Sequence, residues 1–388
     1  MSAALTTREK NLALGSPQWL NVLRVELAAA WEAADRGPLV DVQVAKVIKR
    51  PFSEIRFLDV STQSGACRVV AKSTVRDPMN RPFWDRQVQA TVEYEILDHL
   101  YGQFEQLQGL SVPRPLCVIP ELDTFVMQHI SGSELVAQHR ALRSFSSAAN
   151  FQALEQNYRA LGGWLGSFQE FTKPGHGDES HLQGIVERIQ LRLEKIDAAG
   201  DSRIPAELLS HVNRRMETLV QQAAGEEIPI AGRHGDFGPW NVMVSHTEIS
   251  DQNHIAGSHR VANELVVLDF MGYAREPRPL DAINLLLFLK HESHSIVASG
   301  RRARALQHSF LKGLNWQLPC SVPLLQLCEL HARVYAVWGC LSTPGHRWHH
   351  RSQQKKHLRD SIAWLLHDSA PGVWHLLQVD DAHEDDID

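Results

Sequence analysis

The sequence lacks the features that mark secreted, zinc-binding and membrane proteins. Its 388 residues include only five cysteines, and no two of them form a C-x-x-C pair, so we expect reduced thiols, no disulfide and no zinc site. No apolar run is long enough to span a bilayer, and the first residues do not have the charged-then-apolar layout of a signal peptide. We therefore expect a cytoplasmic protein without a membrane partner.

The sequence also lacks a concentration of positive charge. The formal net charge is −6, and lysine and arginine are scattered along the chain without a basic stripe interleaved with aromatic residues. Because such a stripe is the electrostatic footprint of a nucleic-acid-binding protein, we expect no nucleic-acid partner. Hydrophobic residues make up 43% of the chain, which is enough for one large domain or two lobes. The sequence does not indicate an oligomeric state.

The residues best suited to catalysis lie where short apolar segments end. The segment 228–230 leads to a motif with His234, Asp236 and Asn241, and a later apolar segment ends at Asp269. Asn and Asp oxygens are ligands that Mg²⁺ accepts, and a further Asp can take the proton of a hydroxyl group. In the spacing H-x-D-x-x-x-x-N, this combination is typical of phosphoryl transfer from ATP to an alcohol.

A second H-G-D triplet, at residues 176–178, tests how specific this motif is. Five residues after Asp178 the chain has Gln183 instead of Asn, no apolar segment precedes the triplet, and no segment ending in Asp follows it. We interpret this triplet as a polar turn. Residues 236–238 also spell D-F-G, the metal-binding triplet of protein kinases, but we assign that role to Asp269.

Upstream of the motif, the hydrophobic pattern has a period of two, which is typical of β-strands. The pattern predicts three consecutive antiparallel strands over 40–74, and the third contains V-V-A-K, ending at Lys72. This is close to the V-A-I-K of the kinase strand whose lysine contacts the ATP phosphates. A helix over 91–100 follows, with apolar residues such as Val92 facing inward, and it carries Glu93 and Glu95.

Over roughly residues 40–300, these elements resemble the aminoglycoside phosphotransferase and choline kinase group. The resemblance implies an α+β, two-lobed protein kinase-like fold with a small antiparallel β-sheet N-lobe and a mostly helical C-lobe. We expect an N-terminal helical extension over 1–39, a nucleotide-binding N-lobe over 40–130, a catalytic and substrate-binding C-lobe over 131–379, and an acidic tail over 380–388.

The resemblance also implies roles for the charged residues. Lys72 would contact the α- and β-phosphates of ATP, and Glu93, with Glu95 as the alternative, would hold Lys72 in position. Asn241 and Asp269 would hold Mg²⁺.

In the catalytic loop, the resemblance makes Asp236 the residue that orients the acceptor hydroxyl and accepts its proton, while His234 braces the loop. Asp281 either braces the same loop or is a plain helix N-cap. The helix before the loop often ends in Leu-His in this group, whereas here the corresponding residues are Phe168 and Gln169.

The adenine and phosphate contacts retain alternatives. Ser53 lies in the turn 49–54, which has no glycine where kinases have a Gly-rich loop, so it either contacts the phosphates or belongs to an ordinary hairpin. The segment 124–132 resembles the kinase hinge, in which the Gln128 carbonyl and the Ile130 amide would contact adenine. The alternative is a strand that enters a turn.

The function implied is an ATP-dependent O-phosphotransferase that uses Mg²⁺ and moves the γ-phosphate to a hydroxyl of a small metabolite, sugar or aminoglycoside-like acceptor. One alternative is a protein kinase, although Gly235 replaces the usual Arg and no A-P-E segment follows. The other is a catalytically inactive nucleotide-binding module. Trp, His and Arg residues after position 300 either contact the acceptor or simply belong to a packed core; they include Arg333, Trp338, His346 and Trp348.

Overall fold

The computed structural model describes residues 13–34, 36–50, 52–63, 65–75, 90–141, 147–249, 260–292, 300–315, 320–342, 348–368 and 370–378. The predicted acidic tail and His346 lie outside these residues, as does the side chain of Trp348. Within the described part of the chain, no helix is long and apolar enough to cross a membrane.

The described residues form ten α-helices: α1 (Pro17–Ala33), α2 (Ala90–Phe104), α3 (Leu135–Ala141), α4 (Ala148–Phe171), α5 (Glu179–Ala199), α6 (Leu208–Ala223), α7 (Pro279–Glu292), α8 (Gly300–Leu314), α9 (Val322–Ser342) and α10 (Trp348–Leu365). They also form twelve strands: β1 (Leu39–Lys49), β2 (Ser53–Thr62), β3 (Gly65–Thr74), β4 (Leu110–Ser111), β5 (Pro115–Ile119), β6 (Thr124–Gln128), β7 (Ser133–Glu134), β8 (Gly175–Gly177), β9 (Ile228–Arg233), β10 (Val242–Ile249), β11 (Arg260–Val267) and β12 (Ala274–Pro277).

The chain divides into two compact units, and the division differs in one respect from the predicted lobes. The first unit contains residues 1–132 together with 245–271, and the second contains 133–244 and 272–388. The segment that carries Asp269 therefore belongs with the N-terminal strands, although the sequence analysis placed it in the C-lobe. Its β11 pairs in parallel with the short β4 of the same unit, which holds it there.

The first unit is built on a five-stranded antiparallel sheet in the order β1-β2-β3-β6-β5. The three consecutive strands predicted from the period-two pattern are β1, β2 and β3. Helix α1 begins with Ser16 as its N-cap and Pro17 in its first turn, and it buries a stripe at helical spacing against one face of the sheet. That core includes Leu23 and Leu27 from α1 and Val69 and Ala71 from β3.

In α2 the predicted inward face needs a correction. Leu97 and Leu100 are buried, but Val92 is 39% exposed. The buried side of the first turn is instead formed by Ala90 and Glu93, and Glu93 is a charged residue that a hydrophobic pattern does not place inward.

The second unit is mostly helical. Helix α4 buries an apolar stripe that runs from Leu154 to Phe168. At Gly162 and Gly313 the backbones of α4 and α8 approach so closely that an added Cβ would overlap a main-chain carbonyl of the other helix. A small antiparallel sheet in the order β12-β9-β8 packs with these helices, and β9 leads directly into the H-G-D motif.

Candidate active site

Lys72 lies in the middle of the first unit's sheet, where β3 pairs with both β2 and β6. Its side chain is buried, and Nζ lies 2.6 Å from Glu93 Oε1 and 2.6 Å from Asp269 Oδ1. Glu95 is exposed. The predicted ion pair between Lys72 and Glu93 is therefore present, and the alternative partner, Glu95, is wrong.

Glu93 joins two segments that are far apart in the sequence. Besides contacting Lys72, its Oε1 accepts a hydrogen bond of 3.0 Å from the backbone N–H of Phe270, just after Asp269. The helix α2, the strand β3 and the segment after β11 are thus tied together at one carboxylate.

Burial and charge act in opposite directions on these groups. Burial alone would lower the pKa of Lys72, but the carboxylates of Asp269 and Glu93 outweigh it and raise that pKa above its ordinary value. Burial raises the pKa of Glu93, and the Lys72 charge offsets this only in part. Lys72 therefore stays charged at neutral pH because two acids share it.

Asp269 occupies an unusual backbone conformation at the end of its strand. Its φ is +70°, in the left-handed region that side chains other than glycine seldom adopt. Asp and Asn tolerate this region best among residues with a Cβ. The conformation turns the chain sharply after β11 and brings the carboxylate to Lys72, a contact that the sequence analysis did not predict.

In the second unit, Asp281 holds the catalytic-loop motif by binding backbone N–H groups of that motif. Asp281 accepts hydrogen bonds from the backbone N–H groups of His234, at 2.6 Å, and Gly235, at 3.2 Å. Helix α7 begins two residues earlier, at Pro279, so Asp281 lies inside its first turn and is not the N-cap. Burial raises the pKa of Asp281, whereas Arg233, His234 and the two backbone donors lower it. Of the two alternatives, loop bracing is the one the geometry supports.

The glycine of the motif is required by sterics. Gly235 has φ +87°, and a Cβ at this position would overlap the carbonyl oxygen of Gly272. A larger residue would strain the backbone and also collide with the neighbouring turn. The position taken by Arg in protein kinases therefore has no room for a side chain here.

Asn241 and Asp236 are joined directly. The Nδ2 of Asn241 donates to the main-chain carbonyl of Asp236 and to its Oδ2, both at 2.9 Å. Asn241 is buried and ends a single 3₁₀ turn that starts at Pro239. This arrangement fixes the orientation of the Asp236 carboxylate, a role for Asn241 that the spacing alone did not reveal.

His234 is completely buried, and its ring packs edge-on against Trp164 and Phe237. Its contacts suit the predicted bracing role. Gln169 is also buried, and it donates to the carbonyl of Arg278 and accepts from the Nε of the same residue. The residue that stands where the resembled group often has His thus supports the chain just before α7.

A buried ionic network lies behind the loop, and sequence reasoning missed it. Glu276 of β12 accepts a hydrogen bond of 2.5 Å from Arg188 and another of 2.5 Å from Arg233. Arg233 Nε also lies 3.8 Å from Asp281 Oδ1. Burial alone would lower the pKa of Arg233, but Glu276 and Asp281 raise it. The network connects α5, β9, β12 and α7, four segments with no shared local pattern.

The remaining predicted residues have less distinctive surroundings. Ser53 is the first residue of β2 and is buried. Gln128 ends β6 and is exposed, with its backbone N–H donating to the Arg114 carbonyl at 2.8 Å. Ile130 is half-buried. Their contacts with a nucleotide stay predictions.

Two predictions outside the motif can be compared with the structure. Arg333 is 1% exposed and forms an ion pair of 2.6 Å with Glu329, so of the two alternatives the packed core is correct for this residue. Trp338 is half-buried with Lys195 near its ring. The interpretation of the second H-G-D triplet as a polar turn is wrong, because its first two residues belong to the strand β8. Asp178 is the N-cap of α5 and accepts from the backbone N–H of Ser180.

The donor atoms available for a cation are oxygens. Among the described residues, no group of three or more His, Cys, Asp or Glu side chains could hold a metal ion. Mg²⁺, however, often binds through only one or two protein oxygens plus water and substrate phosphates. Asn241 and Asp269 each carry such an oxygen, and their role as metal ligands stays a prediction.

Comparison with known proteins bears on the fold. No protein-family model and no curated protein matches the sequence. Among solved structures, amicoumacin kinase in complex with AMP-PNP, Ca²⁺ and its Ami ligand matches with a TM-score of 0.50 and 14% identity, over 92% of this chain and 99% of that chain. Glucosamine kinase matches with a TM-score of 0.48 and 13% identity, over 84% of this chain and 79% of that chain. Choline kinase from Cryptosporidium parvum matches with a TM-score of 0.47 and 11% identity, over 84% of this chain and 88% of that chain.

The first of these likenesses confirms the predicted protein kinase-like fold, with an antiparallel sheet in the N-terminal region and a mostly helical C-terminal part.

Proposed function

We propose that this chain is an ATP-dependent phosphotransferase that moves the γ-phosphate to a hydroxyl group of a small molecule. The observation that carries the proposal is Lys72, a buried lysine that contacts both Glu93 and Asp269. A fully buried ammonium with two acidic partners is costly for folding alone and is better explained by a role in positioning charge. The fold, shared with a kinase of a small molecule, supports the same conclusion.

In this proposal Lys72 binds the α- and β-phosphates of ATP, and Glu93 keeps the ammonium in place. Because the pKa of Lys72 is raised by its two acids, the residue carries a full positive charge across the physiological pH range. Asn241 and Asp269 would hold Mg²⁺, which neutralises charge on the phosphates when bound.

Asp236 orients the acceptor hydroxyl and accepts its proton as the acceptor oxygen bonds to the γ-phosphorus and the bond from that phosphorus to the leaving ADP breaks. Asn241 fixes the carboxylate through Oδ2, and Asp281 fixes the loop backbone. Such positioning supplies most of the acceleration in phosphoryl transfer, since the reaction needs little covalent participation by the protein.

The acceptor is proposed to be a small hydroxylated compound, such as an amino alcohol, a sugar or an aminoglycoside. Trp240, which precedes Asn241, is 40% exposed and packs edge-on against Phe288. Its open ring face offers a contact for a sugar ring or an alkylated amine close to Asp236 in the sequence. This residue, and not the buried Arg333, is the expected acceptor contact.

The test is an ADP-release assay with ATP and Mg²⁺ across a panel of amino alcohols, amino sugars and aminoglycosides, with mass spectrometry of the acceptor. We expect at least one acceptor to gain a phosphoryl group, and Asp236→Asn to lower its turnover by roughly 10²–10⁴-fold. A shift in melting temperature on adding ATP reports nucleotide binding separately.

The outcome also separates the alternatives. If ATP stabilises the protein but no acceptor is phosphorylated, the inactive nucleotide-binding module is the better assignment. If neither stabilisation nor transfer occurs while the protein remains folded, the proposed function is wrong.

A further inference from the structure

We propose that the first unit carries a second ligand site, a basic cavity that binds a small ring compound bearing a phosphate group. The cavity has a volume of about 460 Å³, which lies within the usual range for small-molecule sites. It is formed where the C-terminal end of α1 meets the start of β3, the last turns of α2 and the ends of β5 and β6.

The cavity lining does not include Lys72 or Glu93. Cys67 and Val69 contribute to it, and Val69 packs in the core against α1. Because side chains alternate along a strand, Cys67 and Val69 point to the face of β3 opposite to Lys72, while Arg68, which also lines the cavity, alternates with them. The lining includes Gln128, a predicted adenine contact, but none of the residues assigned to the ATP phosphates.

The charges that line the cavity are positive. Arg36, Arg68 and Arg114 all contribute to it. Arg68 is neutralised at the rim by Asp59, at 2.7 Å. Among the described residues, Arg36 and Arg114 have no carboxylate partner within ion-pair distance. Arg36 and Arg114 face the same space because both line the cavity, and burial, then the nearby charge of Arg114, lowers the pKa of Arg36.

Aromatic rings position these two arginines. The Arg36 guanidinium lies 4.9 Å from the centre of the Trp31 ring, and that of Arg114 lies 5.9 Å from the Tyr101 ring. A guanidinium placed over a ring is attracted by its face and keeps its N–H edge available for an anion. Two such edges match a phosphate group, which accepts paired hydrogen bonds from arginine.

The rest of the lining favours a ring next to the phosphate. Val69, Leu116 and the Trp31 side chain form an apolar wall beside the arginines. Glu105, the residue after α2, is exposed and accepts from the Tyr101 hydroxyl at 3.4 Å. A ring compound with a phosphomonoester group would bury its ring against the apolar wall, and its phosphate would compensate the charges of Arg36 and Arg114.

The experiment is calorimetric titration of the full chain with phenyl phosphate, carried out in the Lys72→Met background so that the ATP contacts do not contribute. We expect saturable binding that falls about 10-fold in Arg114→Gln and about 100-fold when Arg36→Gln is added, since each removes charge-assisted hydrogen bonds. Arg68→Gln is the matched control, with a change below about 3-fold because Asp59 already neutralises Arg68.

Cys67 gives a second measurement. This thiol is exposed and lines the cavity, so saturating phenyl phosphate should slow its alkylation in the wild type but not in the arginine double variant. Equal affinity in all variants, or unchanged alkylation, would overturn the proposal. Neither measurement needs turnover, so a failure here is distinguishable from failure of the proposed phosphotransferase activity.

Discussion

The Oδ1 of Asp269 lies 2.6 Å from the Nζ of Lys72, although the predicted roles of these two residues were separate: Asp269 as a Mg²⁺ ligand and Lys72 as a contact of the ATP phosphates. The left-handed backbone at Asp269 makes the contact possible. One carboxylate thus serves the lysine of the first unit and, in the proposed mechanism, a cation. The charge of Lys72 is balanced by two acids, and several predictions rest on that balance.

Lys72→Met should make stability depend on pH. Burial already raises the pKa of Glu93, and removing the ammonium should raise it further. An acid with a raised folded-state pKa contributes stability that is complete below its unfolded pKa and is lost as pH rises through the folded pKa. We expect a loss of about 3 kcal/mol at pH 8, with a clearly smaller loss at pH 5, measured by urea unfolding.

The control is Lys49→Met, which removes an exposed lysine from β1 of the same sheet. This change should alter the free energy of unfolding only slightly, and by the same amount at pH 5 and pH 8. A Lys72→Met penalty that is equal at both pH values would show that Glu93 is not the group responsible.

Lys72 and Glu93 should also be coupled in turnover. Glu93→Gln keeps the ammonium but weakens its position, so both single variants should lower phosphoryl transfer. The double variant should be little worse than Lys72→Met alone, because Glu93 acts on the reaction through Lys72. A double-mutant cycle of kcat measures this, and additive losses would contradict the positioning role.

Asp269→Asn should raise the Mg²⁺ concentration required for half-maximal activity. Asn tolerates the same backbone conformation, so the change removes charge from the ligand without straining the chain. Asn241→Ala should raise the requirement as well and also lower kcat, because it releases Asp236. Titration of Mg²⁺ at saturating ATP tests both, with the exposed Asp98→Asn on α2 as control. An unchanged requirement in both variants would place the metal elsewhere.

The two H-G-D triplets should respond differently to substitution. Asp178→Ala removes an N-cap from α5 and should cost about 1 kcal/mol of stability while leaving kcat unchanged. Asp236→Asn should lower kcat while leaving the free energy of unfolding nearly unchanged. Chemical denaturation gives the free energy of unfolding of the two variants, and initial rates give their kcat. A comparable loss of kcat in both variants would show that the triplets were assigned wrongly.

Glu276→Gln should destabilise the second unit by about 3 kcal/mol, since it leaves the charges of Arg188 and Arg233 with less compensation in a largely buried place. Glu227 is a matched control, because it pairs with His176 at 2.8 Å on the surface. Glu227→Gln should change the free energy of unfolding by less than about 1 kcal/mol. Similar values for both variants would mean that the buried network contributes little.

Local patterns carried part of the sequence predictions. The strands β1 to β3 follow from the period-two hydrophobic pattern, whereas the pairing of Lys72 with Glu93 came from the resemblance to the aminoglycoside phosphotransferase and choline kinase group. The network around Glu276 joins segments up to 88 residues apart, and no local pattern marks such contacts. Asp269 was placed correctly at the end of a strand, yet its contact with Lys72 spans 197 positions.

Arg333 shows that composition alone leaves the role of a residue open. The Trp, His and Arg content of the last helices suited an acceptor surface or a packed core, and Glu329, one helical turn earlier, pairs with the Arg333 charge inside the unit. The i,i+4 spacing of an acid and an arginine among apolar neighbours was visible in the sequence and is a better guide than residue type.

The discontinuous first unit has a consequence for biosynthesis. Its strands and Lys72 lie within residues 1–132, but 245–271, with Asp269, belong to the same unit. At a translation rate of about 5–20 residues per second, the ribosome needs on the order of 10 s to produce the chain between these two stretches. For that time the nascent N-terminal sheet holds an ammonium with only one of its two acids, so chaperone capture of the emerging chain should be strongest before residue 271 leaves the exit tunnel.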